Sequence, residues 1–414
     1  MVRTFLHVSD IHFHKGSRSV YCPDHDIRNE MKMDATEFMT NEQLELYGMI
    51  VCGDIAYSGK KEEYKIATDF IEELAENLKI EPGCIYCVPG NHDVDQSIIK
   101  KSVSLYAVQK LLENCDDNEM GNYLELLQSD SCTKSNDFLY EAIREYNKFA
   151  QRYGAQFSMK KPNWSQKIPL DEKYTLAVFG MNSTLISSHE DHKDKDKKRL
   201  MRLGRNQLPQ REKNVIYMTV CHHPPSDWKD SELQRDIGKR AAIQLYGHKH
   251  VQSIQADENA VIIGTGALQP NRNEPGWEPR YNFLSIGVVE NILTVRVYPR
   301  VWNKTKFEAA AKECDEGKVY KEITLPINQQ ADSVVKATIQ STNVHIMNAD
   351  QRRFIHLFMR ISKMDRKRLL LKYDSFGELL KNNKVLEDVL EQIVEIAVNE
   401  NLLEKMIKEL KTVS

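Results

Sequence analysis

Short apolar runs that stop at polar residues recur along the chain and predict buried strands. The clearest runs are residues 4–8, 48–52, 84–88, 174–179 and 215–221. Continuous apolar runs of this length, bounded by turn residues, are typical of strands that are buried on both faces. Between the second and third runs, residues 62–78 carry apolar side chains at helical spacing. Strands that alternate with helices predict a layered α/β architecture.

The later pattern predicts a helical insertion and more strands. Residues 96–157 are rich in leucine, tyrosine, glutamate and lysine at mixed helical spacing, and they are longer than a crossover connection needs to be. We interpret them as a helical insertion. Four short apolar runs, at 260–263, 283–289, 293–298 and 319–325, are interpreted as further strands of the same domain.

A polar, poorly patterned stretch at residues 327–346 indicates a linker. We therefore predict a main domain at residues 1–326 and a second domain at residues 347–414. The second segment groups its apolar residues at helical spacing throughout, which predicts a small all-α bundle. Its role is open: a stabilising cap, a surface for self-association, or a module that binds a protein partner.

Composition places the chain among folded globular proteins. Its 414 residues are 41% hydrophobic and 28% charged, and the formal charge of -3 supplies no overall attraction for polyphosphate chains. The sequence has no run of about 18 apolar residues and no signal-peptide pattern, so we expect no membrane span and a cytoplasmic location. We interpret the cysteines as reduced core thiols, including Cys84 and Cys87 of a CxxC pattern.

Five polar clusters directly follow predicted strands and carry the candidate chemistry. They are Asp10-Ile11-His12, Gly53-Asp54, Gly90-Asn91-His92-Asp93, His222-His223-Pro224 and Gly247-His248-Lys249-His250. Ligands of α/β proteins collect beyond the carboxyl ends of strands, so these clusters are expected to meet. Carboxylate, imidazole and amide groups suit a pair of hard or borderline divalent cations.

The spacing within the clusters supports shared cations. Residues two apart in an extended segment project to the same side, so Asp10 and His12 can address one cation while Ile11 turns into the core. His248 and His250 can do the same. A glycine precedes three of the candidate ligands, which suits a sharp turn and a close approach of the backbone to a cation.

The order DxH, GD, GNHD, HHP and GHxH resembles the calcineurin-like metallophosphoesterases, and the resemblance extends from Val2 to about Gly266. It implies a four-layer α/β/β/α sandwich, to which the helical insertion and the small all-α C-terminal domain are added. It also implies a ligand set: Asp10, His12 and His250 for one cation, Asn91, His222 and His248 for the other, and Asp54 as the bridge.

The same resemblance implies roles for the neighbours of these ligands. His92 would hydrogen-bond the phosphate or protonate the leaving oxygen, and Asp93 would orient its ring. The candidates for contact with substrate are Asn91, His92 and His223. Trp228 is interpreted as a packing residue rather than a platform for a base. The polar residues at 24–28 are interpreted as a loop at the mouth of the site.

The resemblance implies hydrolysis of a phosphoester bond by a hydroxide that bridges two divalent cations. Mn²⁺ is the favoured ion, with Fe, Zn and Ni as alternatives. Ser/Thr protein phosphatases of this superfamily carry phosphate-gripping arginines in GDxxDRG and RGNHE, where this chain has GDIAYSG and PGNHD. GNHD and HHPP are more similar to cyclic-nucleotide phosphodiesterases and DNA-repair nucleases. We therefore expect a phosphodiesterase acting on a nucleotide or a nucleic acid, with a phosphomonoesterase as the alternative.

The C-terminal segment supplies a second hypothesis of function. Its length and spacing resemble the helical effector-associated domains of bacterial conflict systems. On this hypothesis the protein is a partner-recruited effector, and the tail is the adaptor that binds the partner.

Overall fold

Thirteen strands and twelve α-helices form the part of the chain that the computed structural model describes, residues 1–81, 83–129, 137–191, 199–270, 272, 277–327, 347–381 and 385–413. The strands are β1 (Arg3–Val8), β2 (Leu46–Val51), β3 (Ile85–Cys87), β4 (Asn163–Pro169), β5 (Thr175–Met181), β6 (Val215–Cys221), β7 (Ala241–Tyr246), β8 (Ser253–Ala256), β9 (Val261–Gly264), β10 (Arg280–Val289), β11 (Ile292–Trp302), β12 (Phe307–Ala309) and β13 (Lys321–Pro326). The helices are α1 (Pro23–Asn41), α2 (Lys61–Asn77), α3 (Gln96–Lys101), α4 (Val103–Asn114), α5 (Asp117–Ser129), α6 (Arg144–Ala150), α7 (Ser231–Ile237), α8 (Ala349–Arg360), α9 (Lys363–Leu370), α10 (Gly377–Lys381), α11 (Leu390–Asn399) and α12 (Leu403–Val413).

The strands form two sheets. The first, seven-stranded sheet has the order β12-β11-β10-β1-β2-β3, with β13 beside β11, and β1, β2 and β3 are parallel. The second, six-stranded sheet has the order β4-β5-β6-β7-β9-β8, and β5, β6, β7 and β9 are parallel. Apolar side chains from both sheets belong to one continuous core. In these strand orders, β3 and β4 each lie at an edge of their sheet.

Helices pack on the sheets, and the predicted four-layer α/β/β/α sandwich is confirmed. Phe38 of α1 stacks on Phe283 of β10, with 5.2 Å between the ring centroids. α2 buries Ile66, Phe70 and Leu74, among others, as the helical spacing of its apolar residues requires. α1 begins at Pro23, a residue that favours the first turn of a helix. The interpretation of residues 24–28 as a loop is therefore wrong.

The insertion and the tail are both helical. Residues 96–157 contain α3 to α6, and α8 to α12 enclose a separate apolar core around Phe354, Phe358, Ile393 and Met406. Residues 328–346, nearly all of the predicted linker, lie outside the described residues, so the domain boundaries stay predictions. No helix in the described ranges is long and apolar enough to cross a membrane. The seven described cysteines are free thiols, and six of them are buried.

Candidate metal centre

Loops at the carboxyl ends of five strands meet at one edge of the sandwich. β1, β2 and β3 are parallel neighbours in the first sheet, and β6 and β7 are parallel neighbours in the second. The residues that follow these strands are the seven candidate ligands Asp10, His12, Asp54, Asn91, His222, His248 and His250. Backbone hydrogen bonds connect the loops: the N–H of Ile11 donates to the carbonyl of Asp54 at 3.0 Å, and the N–H of Gly247 donates to that of His222 at 3.0 Å.

Asp10, His12 and His250 form the first group of candidate ligands. Nε2 of His250 lies 3.2 Å from Oδ1 of Asp10, and Nε2 of His12 lies 3.9 Å from the same oxygen. One ligand atom from each of the three residues lies within 4.8 Å of the others. A single cation can span this spacing, because ligand bonds to such metals are about 2.0–2.3 Å long.

Asp54 lies between the first group and the second. Its Oδ2 is 4.0 Å from Nε2 of His12 and 3.3 Å from Nε2 of His222. Oδ1 of Asn91 is 3.2 Å from the same nitrogen of His222. A carboxylate that faces imidazoles of both groups has the position that a bridging ligand requires.

His222 and His248 of the second group lie beside His223, and one ligand atom from each of these three residues lies within 4.8 Å of the others. Nδ1 of His222 donates to the carbonyl of Cys52 at 2.8 Å, which leaves its Nε2 to bind a cation. Nδ1 of His223 is 2.7 Å from the hydroxyl of Ser183. The ring centroids of His223 and His248 are 4.3 Å apart. His223 is therefore closer to this group than the sequence alone indicates.

Strained backbone is concentrated at the candidate ligands. Five of the seven have positive φ angles, namely Asp10, His12, Asp54, His248 and His250. Their values lie between 49° and 67°, the left-handed region that residues other than glycine rarely adopt. Such strain costs on the order of 1–3 kcal/mol per residue and persists where the surrounding structure enforces it, commonly at functional sites.

Glycines before three of the ligands allow close approach of the chain, as expected from the sequence. A Cβ atom added to Gly53 would lie 2.6 Å from Nδ1 of His222. A Cβ atom on Gly90 would lie 2.1 Å from Oδ1 of Asp54, and one on Gly247 would lie 2.1 Å from the hydroxyl of Ser9. A side chain at any of these glycines would displace a ligand or its support.

Burial and mutual contacts shift the pKa values of the ligands. Burial disfavours the charged form of Asp10, but the hydrogen bond of His250 and the charge of His222 outweigh it and lower the pKa of Asp10 to about 2. The pKa of Asp54 is also well below its usual range, because His222 outweighs the effect of burial. Burial lowers the pKa of His12 to about 4 and that of His248 to about 4. Both carboxylates are therefore ionised near neutral pH, and these two imidazoles are neutral, the form that binds metals.

This donor set fits divalent cations. Asp10 and Asp54 are almost fully buried, and a carboxylate oxygen of each lies within 4.8 Å of the other. Two buried carboxylates this close to each other require positive charge nearby. Carboxylate, imidazole and amide donors together suit divalent cations, so the residues present fit a metal site.

The ring of His92 is held by a backbone carbonyl rather than by Asp93. Nδ1 of His92 donates to the carbonyl oxygen of Tyr57 at 2.8 Å, and its backbone N–H donates to Oδ1 of Asp54 at 2.8 Å. The carboxylate of Asp93 turns inward and accepts from the N–H groups of Ile55, at 3.1 Å, and Ala56, at 2.9 Å. It also accepts hydrogen bonds from the N–H of Gly90 and from the hydroxyl of Tyr64. The structure thus places Asp93 as a tie between the loops after β2 and β3, which differs from the expected role of orienting His92.

Two supporting side chains were not predicted. Asp227, fully buried, has its Oδ2 3.5 Å from Nε2 of His248 and 2.8 Å from Nζ of Lys249. The hydroxyl of Ser9 donates to Oδ2 of Asp10 at 2.5 Å. Both lie within a few residues of a predicted ligand, and that proximity is the signal that could have identified them. Such partners fix the orientation of ligands.

Aromatic side chains near the site divide into buried and exposed. Trp228 is fully buried and its indole N–H donates to the carbonyl of His223 at 2.9 Å, so the packing interpretation is confirmed. Tyr57 is 56% exposed. Its ring centroid lies 5.3 Å from that of His92 and 6.3 Å from that of His12. The aromatic ring that a ligand in the site could meet is therefore that of Tyr57.

Matches to solved structures cover most of this chain at low identity. Vps29 from Entamoeba histolytica complexed with Zn²⁺ is 10% identical, with a TM-score of 0.30, and the match covers 78% of this chain and 98% of that one. Vacuolar protein sorting 29 from Cryptosporidium parvum is 10% identical, with a TM-score of 0.33 and coverage of 78% and 97%. A predicted phosphoesterase from Streptococcus pneumoniae TIGR4 is 11% identical, with a TM-score of 0.28 and coverage of 78% and 98%. A search of curated proteins finds no match.

The sequence match to a family is more extensive. The model of the calcineurin-like phosphoesterase family matches residues 3–252, which is more than half of the chain. The matched range includes β1 to β7 and all five loops that carry the candidate ligands. With its ligand loops gathered as the family motifs require, this chain belongs to the calcineurin-like phosphoesterases.

Proposed function

We propose that the protein is a hydrolase of phosphoester bonds that uses two divalent cations, and that its substrate is a phosphodiester of a nucleotide or a nucleic acid. The observation that carries the proposal is the position of Asp54, within 4.0 Å of an imidazole from each of the two ligand groups. Bound at this site, two cations would supply an activated water, neutralisation of the phosphoryl charge and stabilisation of the leaving oxygen.

The protein's own residues divide this work. Asp10, His12 and His250 hold one cation, and Asn91, His222 and His248 hold the other, with His223 beside the second group. Asp54 joins the two groups. Mn²⁺ is the ion we favour, while Fe, Zn and Ni suit the same donors.

His92 is the candidate proton donor to the leaving oxygen. A carbonyl oxygen can only accept, so the contact with Tyr57 fixes the proton of the neutral ring on Nδ1. Nε2 is then the atom that takes up a proton and delivers it to substrate. Asp93 supports this step indirectly, because it ties together the loops that carry Asp54 and His92.

A phosphodiester is favoured by what surrounds the ligands. A phosphomonoester carries more negative charge than a diester and is commonly gripped by arginine side chains. Residues 55–58, which follow the bridging Asp54, are Ile, Ala, Tyr and Ser. The exposed ring of Tyr57 offers an apolar face to an ester group instead of a charge.

The first test measures hydrolysis after metals have been stripped and Mn²⁺ restored. We expect Mn²⁺-dependent hydrolysis of bis(p-nitrophenyl) phosphate to exceed that of p-nitrophenyl phosphate. Asp54→Asn should lower this activity by more than about 100-fold, since losing a ligand exceeds the 10–100-fold cost of losing a ligand's partner. Asp257→Asn, an exposed carboxyl outside the site, is the matched control.

Other outcomes separate the alternatives. Preference for the monoester would support a phosphomonoesterase. Activity that survives chelation would contradict the two-metal proposal. Silence on both esters with two cations bound would favour the partner-recruited effector.

A protein partner, or self-association through the C-terminal helices, is a second proposal. Its support is the exposure of apolar side chains on the tail, with Met364 66% and Leu371 63% exposed. Sedimentation of the full chain would detect self-association. A monomer at all concentrations would restrict this proposal to a heterologous partner.

A further inference from the structure

Helix α8 of the tail has two buried faces of different character. Phe354, Ile355 and Phe358 pack into the core of the helical tail. Arg352 and His356, one turn apart, instead contact β3 and Tyr153 near the end of the insertion. Because residues four apart lie on the same face of a helix, these polar residues form a stripe that faces away from the tail's own core.

Arg352 closes the gap between the edges of the two sheets. It is 1% exposed, and its Nη2 donates to the carbonyl of Ile85 in β3 at 2.8 Å. Its guanidinium lies 4.7 Å from the ring centroid of Tyr86 in β3 and 5.4 Å from that of Trp164 in β4. One side chain of the tail therefore contacts the edge strand of each sheet.

Side chains from other elements hydrogen-bond to two carbonyl groups on the outward side of β3. The carbonyl of Cys84, just before the strand, accepts from Met49 of β2, so the next carbonyl, that of Ile85, points outward to Arg352. The carbonyl of Cys87 accepts from the hydroxyl of Tyr146 in the insertion at 2.9 Å. β3 has only three residues. Its position thus depends on Arg352 and Tyr146 as well as on β2.

The turn before β3 is fitted closely to α8. Gly83 has φ of 92°, and a Cβ atom there would lie 2.6 Å from the backbone nitrogen of Arg353. Arg353 also forms an ion pair with Glu81, and the rings of His356 and Tyr153 stack with centroids 5.8 Å apart. The tail is therefore seated on this part of the sandwich by several contacts around Arg352.

The charge of Arg352 makes this seating specific. In the described residues its surroundings are a carbonyl and two aromatic rings rather than a carboxylate. A buried cation is costly unless its partners stand in the right places. Arg352 is therefore compatible with few arrangements of Ile85, Tyr86 and Trp164, and it restricts β3 to one of them.

β3 leads directly to the second group of candidate ligands. Asn91 follows Cys87 by four residues, and its Oδ1 lies 3.2 Å from Nε2 of His222. A shift of β3 moves this amide, whereas the group of Asp10, His12 and His250 is built on β1 and the loop after β7. We propose that Arg352 is a positioning residue that couples docking of the tail to the affinity of the second cation site. This inference rests on the two-cation site of the proposed function.

The test compares Mn²⁺ binding by the full-length Arg352→Met and Arg353→Met variants, by calorimetric titration and by electron paramagnetic resonance of paired Mn²⁺. Arg352→Met keeps an unbranched apolar stem but removes the donor and the planar charge. We expect Mn²⁺ affinity at the second site to fall about 10-fold, within the 10–100-fold typical of residues that orient ligands. Affinity at the first site should stay as in the wild type. Arg353→Met, which removes partly exposed ion pairs with Glu81 and Asp350, should change neither site.

Reference titrations of Asn91→Ala and His250→Ala identify which binding step belongs to which site. Equal affinities in Arg352→Met and the wild type, with a lowered melting temperature, would overturn the inference and leave Arg352 a packing role. If Arg352→Met does not fold, Arg352→Lys is titrated instead, because lysine keeps the charge but loses the planar contact. A loss of Mn²⁺ affinity at the second site alone would support the inference, and equal affinities with the wild type would overturn it. If Arg352→Met loses Mn²⁺ affinity at the second site alone, but the wild type hydrolyses no phosphoester, the proposed function is refuted and this inference stands.

Discussion

At the residue scale, the partner of His92 sets how this side chain can act. A carbonyl oxygen faces Nδ1 and can only accept a hydrogen bond, so Nδ1 carries a proton. Nε2 is therefore the ring atom through which His92 can pass a proton to a substrate oxygen. The contribution of His92 to the rate should therefore depend on how strongly the leaving oxygen requires a proton.

We expect His92→Ala to discriminate between leaving groups. For a diester with an alkyl leaving group, kcat should fall about 10²–10⁴-fold, the usual contribution of a general acid. For bis(p-nitrophenyl) phosphate the loss should be below about tenfold, because p-nitrophenolate leaves without a proton. Steady-state kinetics with Mn²⁺ measure both, and His25→Ala in α1 serves as the control. Equal losses for both esters would indicate that His92 binds the phosphate instead.

The candidate ligands could be predicted from sequence because each follows an apolar run and each has a ligating side chain. The partner of His92 could not, since a backbone carbonyl such as that of Tyr57 is offered by every residue type. The resemblance to the family implies that Asp93 orients this ring. Three backbone N–H groups and the Tyr64 hydroxyl draw its carboxylate inward instead. Sequence adjacency does not reveal that choice.

At the scale of elements, strands were predicted where apolar runs were continuous and missed where they were not. β4 buries the polar side chains of Ser165 and Gln166. Its sequence therefore has no continuous apolar run, although the strand is buried. β12 has three residues and β8 has two exposed positions out of four, too little for an alternating pattern. The docking of α8 was also beyond prediction, because an arginine at helical spacing is ordinarily a solvated residue.

Lys161 marks a second contact between the sandwich and the tail, and it has a testable pH dependence. Its Nζ is buried 3.6 Å from Glu391 of α11. Burial, only partly opposed by Glu391, lowers the pKa of Lys161 to about 8 from 10.5. Between pH 8 and 10.5 the unfolded chain binds more protons at this residue, so the free energy of unfolding rises with pH there. Below pH 8 the buried charge costs about 3 kcal/mol.

Lys161→Met should therefore raise the free energy of unfolding at pH 7, by up to about 3 kcal/mol. The gain should shrink as the pH rises from 8 and vanish well above pH 10.5, where Lys161 is neutral in both states. Urea unfolding at pH 7 and pH 10 measures the difference, with Lys160→Met, an exposed neighbour, as the control. Destabilisation at pH 7 would indicate instead that the ion pair with Glu391 outweighs the cost of burial.

At the scale of the whole molecule, we expect cation binding and folding to be coupled. Five ligands with left-handed backbone and two buried carboxylates are stable together only within an intact sandwich. The folded state should therefore bind Mn²⁺ and the unfolded chain should not, so binding stabilises the fold.

Removal of metals with a chelator should lower the melting temperature by several degrees, and Mn²⁺ should restore it. At Mn²⁺ concentrations 100 times the dissociation constant, the gain is about 2.7 kcal/mol per site. Scanning calorimetry of the stripped and reloaded protein measures the shift. Asp54→Asn, which removes one of the two buried charges, should reduce the response to Mn²⁺. An identical melting temperature with chelator and with Mn²⁺ would refute this coupling.

The cover over β3 also bears on the solubility of the molecule. The free edge of a strand is a template on which a strand from another molecule can pair, and such pairing leads to aggregation. Arg352 and Tyr146 occupy the outward carbonyls of β3, and the tail shields Tyr86 and Trp164 from water. A chain cut before α8 would expose this strand edge and the two aromatic rings beside it. We therefore expect proteolysis of the tail to make the remaining chain more prone to aggregation.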